Sequence, residues 1–190
     1  MERLSTWHHA YLQQPRERSE GAESLYTVST LGHHYLHLTI FRAIIRPFVS
    51  TNTSSDEPTN LSLEEQRTVR CFAREGVRTV TTAATDFVKG LQQEHFHMFW
   101  PQWSQVAFSS ICFFHLKMAM SSMDMEEALT WLRDLQTARR EMRLKSNMLP
   151  VLRLGLLRID AIFWKGVDNV LHLQLHVQQA LEASLDLSSG

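Results

Sequence analysis

"WPQWSQVAFSSICFFHLKMAM", residues 100 to 120, decides how the rest of the chain is read. Pro101 suits a first helical turn, where the N–H it lacks would have no intrahelical partner anyway. Behind it, Val106, Phe108, Ile111, Phe113, Phe114, Leu116 and Met118 point to every side of a helix. A helix that is apolar all round has to be surrounded by other protein. His115 and Lys117 interrupt the run, and no stretch of about 18 uncharged apolar residues occurs in the chain, so no membrane span is expected. The stretch therefore predicts a core helix, and the other segments must supply its cover.

Those segments also read as helices. Leu4, Trp7, Tyr11 and Leu12 recur at three- and four-residue steps before Pro15. Residues 22 to 48 carry a second stripe of Leu25, Val28, Leu31, Tyr35, Leu38, Ile45 and Phe48, bounded by Pro47. "STNTSSDEPTN", residues 50 to 60, is polar and reads as a mobile loop over about 49–61. Ser62 and Glu65 have capping-box spacing and open a long helix to about Leu91. Asp124 and Glu127 repeat that spacing and open another, to about Lys145. A last helical stretch begins near Leu149 and runs through "LRLGLLRIDAIFWKG", where Gly166 permits a break. "LHLQLHV", 171 to 177, alternates as a strand does. A single strand would have nothing to pair with, so helix is expected there too. The expected fold is all-α: an irregular bundle of about six helices, without significant sheet, formed by residues 1–190 as one domain with a loosely held tail at about 186–190.

Composition narrows the function. The 190 residues carry a formal net charge of −1, which gives no global reason to seek nucleic acid or an anionic membrane. Two cysteines, Cys71 and Cys112, are too few for a disulfide scaffold or a structural zinc site, and both are expected to be unlinked. No G-x-S-x-G and no Gly-rich phosphate loop is present. His33 and His37 share a helix face, but that face continues into Ile40, Ile44 and Phe48 and collects no further ligand. His172 and His176 have the same spacing and the same lack, while His95 and His97 diverge on a helix. No cofactor and no stoichiometric metal is expected. Between Arg133 and Arg158 seven cations face two acids, a local excess of +5 that reads as a solvated helix face. Buried aromatics at Phe96, Trp100, Trp103, Phe163 and Trp164 are the candidates to line an apolar ligand pocket.

The order of landmarks carries a resemblance. "YLHLTIFRAIIRPF", then Arg70–Cys71 on a long helix, "FWPQW", the basic "MRLKS" and "LLRIDAIFWKG" together resemble the fungal-specific transcription factor domain. This is the middle homology region of binuclear zinc-cluster regulators. The R-h-D-x-x-F-W ending is most similar to regulators of the acetamidase and cutinase type. The resemblance spans most of residues 4 to 168. It implies an all-α regulatory domain acting in the nucleus through protein contacts or self-association, with no catalysis. Such proteins bind DNA through an N-terminal six-cysteine zinc cluster, which two cysteines cannot form. The chain is thus expected to be the C-terminal part of such a regulator, without sequence-specific DNA binding of its own. A small-molecule-sensing helical module is the alternative, and an enzyme is not expected. If packing partners are missing, the helix from Trp100 to Met120 should be incompletely covered, leaving an exposed apolar patch.

Overall fold

The computed structural model describes residues 6, 20–49, 63–171 and 173–186. The expected N-terminal helix around Trp7, the loop at 50–60, the Ser62 cap, His172 and the tail beyond Asp186 lie outside the described residues. Among those described, six helices are long: α1 (Glu20–Val49), α2 (Leu63–Gly90), α4 (Ser104–Met120), α5 (Met125–Lys145), α6 (Pro150–Lys165) and α8 (Leu175–Asp186). Two single turns complete the order, α3 (Gln93–Phe96) and α7 (Val167–Val170). No strand occurs among the described residues. The fold is an all-α bundle.

Local chemistry sets the boundaries. At the start of α5 the Glu127 N–H donates to Asp124 Oδ1 at 2.8 Å. The return bond of this box lands one residue early, from the Met123 N–H to Glu127 Oε2 at 3.0 Å. Pro150 occupies the first turn of α6, where it loses no hydrogen bond. Gly166 ends that helix at φ 82°, a left-handed conformation that favours glycine. Pro101 sits just ahead of α4 and its carbonyl accepts from the Ser104 N–H at 2.9 Å. The alternating stretch straddles a boundary. Leu171 is extended, with φ −129° and ψ 136°, and helix resumes only at Leu175.

α4 lies at the centre. α1 and α2 pack together on one side of it, and α5 and α6 cover the other. α8 packs on α5. Eleven of the 17 residues of α4 are buried, among them Phe108, Ile111, Cys112, Phe114, His115, Leu116 and Met118. The cover is thus fuller than the sequence suggested, because α1, α5 and α6 all pack on it and α2 adds a smaller contact. Close approach also helps. A Cβ on Gly155 of α6 would stand 3.3 Å from both Gln105 O and Ser109 N of α4, so glycine brings the two backbones together. The most exposed large apolar side chains lie off α4: Phe72, Phe99, Trp164, Leu25 and Leu175.

Polar ties lock the outer helices. Arg74 of α2 reaches Glu127 of α5 (Nε–Oε1 2.7 Å) and donates to the Ser121 carbonyl at 3.0 Å. Asp160 of α6 receives Arg139 at 2.6 Å and Arg143 at 2.9 Å, both from α5. Lys145 at the end of α5 donates to the terminal carbonyls of α2, Val88 at 2.7 Å and Lys89. Val88 O also accepts the Leu91 N–H at 3.3 Å, and the ammonium adds a charged donor at the helix end, where it complements the dipole. Ser122 O, in the α4–α5 turn, accepts from His176 Nε2 of α8 at 3.0 Å.

Candidate functional site

Most of the basic run 133–158 is solvated, with Arg133, Arg140, Arg143, Arg153 and Arg158 all exposed. Arg139 and Lys145 are drawn into ties between helices, and Arg158 turns elsewhere. It joins a cleft of about 430 Å³ between α1, α4 and α6, with Leu171 also in its lining. α1 contributes Tyr35, Leu38, Thr39 and Arg42 to the lining. α4 presents Val106, Phe113, Phe114 and Lys117, with Ser109, Ser110, Leu116 and Met120. α6 adds Arg158 and Ile162. The i, i+3 and i, i+4 spacings explain the set: 106, 109, 110, 113, 114 and 117 run down one face of α4, and 35, 38, 39 and 42 down one face of α1. The size lies within the usual range for small-ligand sites, about 300–1,000 Å³.

The walls are mainly apolar and the charge is of one sign. Three cations, Arg42, Lys117 and Arg158, line the cleft, and among the described residues no carboxylate, imidazole or thiol does. Among the described residues none of the three forms an ion pair. Lys117 is half-buried. Burial first, and then the neighbouring Arg42 and Arg46, hold its ammonium below the usual lysine range. The hydroxyls are turned inward to their own helices: Thr39 to Tyr35 O at 2.9 Å, Ser109 to Val106 O at 3.0 Å and Ser110 to the same carbonyl at 2.7 Å. What remains is an apolar trough with cationic groups, an arrangement suited to binding.

None of the five aromatics proposed from the sequence lines this cleft. Phe96 is half-buried against the core. Trp100 donates its indole N–H to His95 O at 2.9 Å and lies 5.5 Å from Phe108, ring centre to ring centre. Trp103 is partly exposed, and a Cβ on Gly32 would stand 3.4 Å from its ring. Phe163 carries the Arg139 guanidinium 4.0 Å above its ring, and Trp164 is 79% exposed. They serve as packing and surface residues spread along the chain. The cleft's own residues gave no signal, because its cations come from three helices far apart in sequence.

The histidines divide similarly. His33 and His37 pack ring against ring, their centres 4.2 Å apart. His115 is buried, its Nδ1 donating to Ile111 O at 2.8 Å, and burial pushes its pKa down so that the ring stays neutral. His95 meets Glu94 and, from α1, Glu23, with one ligand atom of each within 4.8 Å of the others. This trio, which the sequence gave no reason to join, is open to solvent, and His95 Nδ1 already accepts the Gln92 N–H at 2.9 Å. Nothing else about it points to an ion.

The two cysteines are free and lie on different helices, Cys71 exposed on α2 and Cys112 buried on α4. Burial pushes the Cys112 thiol up to about 12, and its nearest polar contact is Met142 Sδ at 3.9 Å. Arg74, one turn from Cys71, is committed to Glu127 and Ser121. A disulfide reagent at pH 8 should therefore label one thiol per folded chain, at Cys71, and two after denaturation; the absorbance of the released thiolate counts them.

Among the described residues no helix is long and apolar enough to cross a membrane. No family model, no curated protein and no solved structure matches the chain.

Proposed function

We propose that the chain is the regulatory portion of a nuclear transcription regulator, a non-catalytic helical module whose cleft between α1, α4 and α6 takes a small-molecule effector. The resemblance to the fungal-specific transcription factor domain supports the regulatory role. The effector reading rests on one observation, a ligand-sized apolar cleft whose three cations have no carboxylate partner among the described residues. A ligand seated there touches three helices at once and can bias how they pack, which is how occupancy becomes a signal. Exposed apolar side chains such as Phe72 and Trp164 offer surface to a protein partner or to a second copy. DNA contacts would belong to a separate zinc-cluster module.

The test joins binding to output. A thermal-shift screen of small metabolites should find ligands that raise the melting temperature of the chain in a saturable way, as expected for anything that binds only the folded state. Val106→Trp, which places a large ring in the cleft from a partly exposed position, should abolish that shift with the fold intact. Fused to a heterologous DNA-binding domain, the chain should change reporter output when the ligand is added, and the Val106→Trp fusion should not. Reporter output indifferent to a ligand that demonstrably fills the cleft would overturn the regulatory reading.

A further inference from the structure

Half-buried cations elsewhere among the described residues each have a partner. Arg74 lies on Glu127 at 2.6 Å, Arg139 on Asp160 at 2.6 Å, Lys145 on the carbonyls that end α2, and Arg78 over the Trp131 ring at 4.9 Å. Lys117 breaks the pattern. It is half-buried on α4, no acid of the described residues pairs with it, and the charges that act on it, Arg42 and Arg46, repel it. Arg42 and Arg158 are exposed and equally unpaired among the described residues. Like charges gathered beside an apolar surface are costly in the absence of a counter-charge. Most of the remaining lining is oily, with Leu38, Phe113, Phe114 and Ile162 among its walls. A bare inorganic anion would leave those walls wet, and a neutral apolar molecule would leave the cations unanswered.

We infer that the cleft binds an amphipathic organic carboxylate, with its anionic head on Lys117, Arg42 and Arg158 and its apolar body against Phe113, Phe114 and Ile162. This rests on the effector reading given above and narrows it to one ligand class. Guanidinium groups match a carboxylate with two parallel N–H donors, and the ammonium adds a point charge. The head supplies orientation and the body supplies buried area, the usual division of labour in a small-ligand site.

Three probes separate the two halves of the proposal, each measured by calorimetry on the full chain below its aggregation threshold. Decanoate should bind saturably at one per chain. Decanol, the same body without the charge, and acetate, the charge without the body, should each bind at least about tenfold more weakly, the factor that corresponds to losing one charge-assisted contact. Lys117→Met and, separately, the exposed-site variant Arg42→Gln should each cost decanoate about tenfold and leave decanol unchanged. Lys89→Gln, outside the lining, should change neither. Circular dichroism of the unliganded variants checks that they fold, and the Arg42 variant keeps the test open if the Lys117 variant does not. Decanol binding as well as decanoate would overturn the anion assignment while leaving an effector cleft in place. Failure of all three probes would overturn it too, whereas the effector reading falls only if the wider screen finds nothing that Val106→Trp displaces. Binding of the chain to vesicles of phosphatidylglycerol, with none to free decanoate, would assign the cations to a membrane surface and sink the proposal.

Discussion

Replacing Trp131 by alanine should cost about 3–5 kcal/mol of folding stability, the usual range for emptying a buried indole site. The ring is 1% exposed, on the face of α5 that meets α4. It stands edge-on to His115, 5.9 Å between centres, and the Arg78 guanidinium of α2 lies 4.9 Å above it. One side chain of α5 thus meets both the central helix and α2, and truncation leaves a void between the three. For a chain of this size the melting temperature should fall by about 6–20 °C. Urea titration followed by circular dichroism should show a lower midpoint at an unchanged slope. Trp164→Ala is the control: that ring is 79% exposed and its loss should stay within about 0.5 kcal/mol. Equal effects from the two would mean that Trp131 is not in the core.

The second large effect belongs to Asp160. Its carboxylate is the acceptor for two arginines, and Arg139 is nearly as enclosed as Asp160 itself, with side chains 16% and 14% exposed. Removing one partner of a buried pair costs about 3–5 kcal/mol because the other charge is stranded. Partial exposure lowers that here, and Asp160→Ala should cost about 2–3 kcal/mol. Arg143, 59% exposed, should cost less than about 1 kcal/mol when replaced by alanine. The double change Asp160→Leu with Arg139→Met removes both enclosed charges and should recover most of the loss, since an apolar pair of similar volume is often as stable as the ions. Chemical denaturation of the wild type, Asp160→Leu, Arg139→Met and the double variant as a cycle reads this directly. No recovery in the double variant would show that the loss lies in packing around Phe163 and not in the stranded charge.

The helices were legible where a boundary has its own local chemistry. Asp124 and Glu127 announced the start of α5, and Gly166 the break after α6, because caps and breakers act within a few residues. The alternating stretch was read as helix, which holds only from Leu175, because Leu171 at its start is extended. Apolar content around Trp100–Met120 correctly announced an enclosed helix. Its degree of cover could not be read, since it depends on how α1, α5 and α6 dock on it and on the contact at Gly155. The aromatics expected in a pocket were chosen for size alone, and size does not separate Trp164 at the surface from Phe163 under Arg139. The cleft was invisible for a geometric reason. Arg42, Lys117 and Arg158 become neighbours only when three helices dock, and no spacing in the sequence encodes that meeting.

The central place of α4 also sets an order of events during synthesis. α1 and α2 leave the ribosome before it, but α5 and α6, which complete its enclosure, are made afterwards. At about 5–20 residues per second, translation of residues 121 to 165 takes about 2–9 s. For that interval the oiliest segment of the chain, including Phe108, Ile111, Phe114 and Met118, is finished but only half enclosed. Nascent chains halted just past Met120 should therefore recruit chaperones strongly, and chains halted well beyond Lys165 should release them.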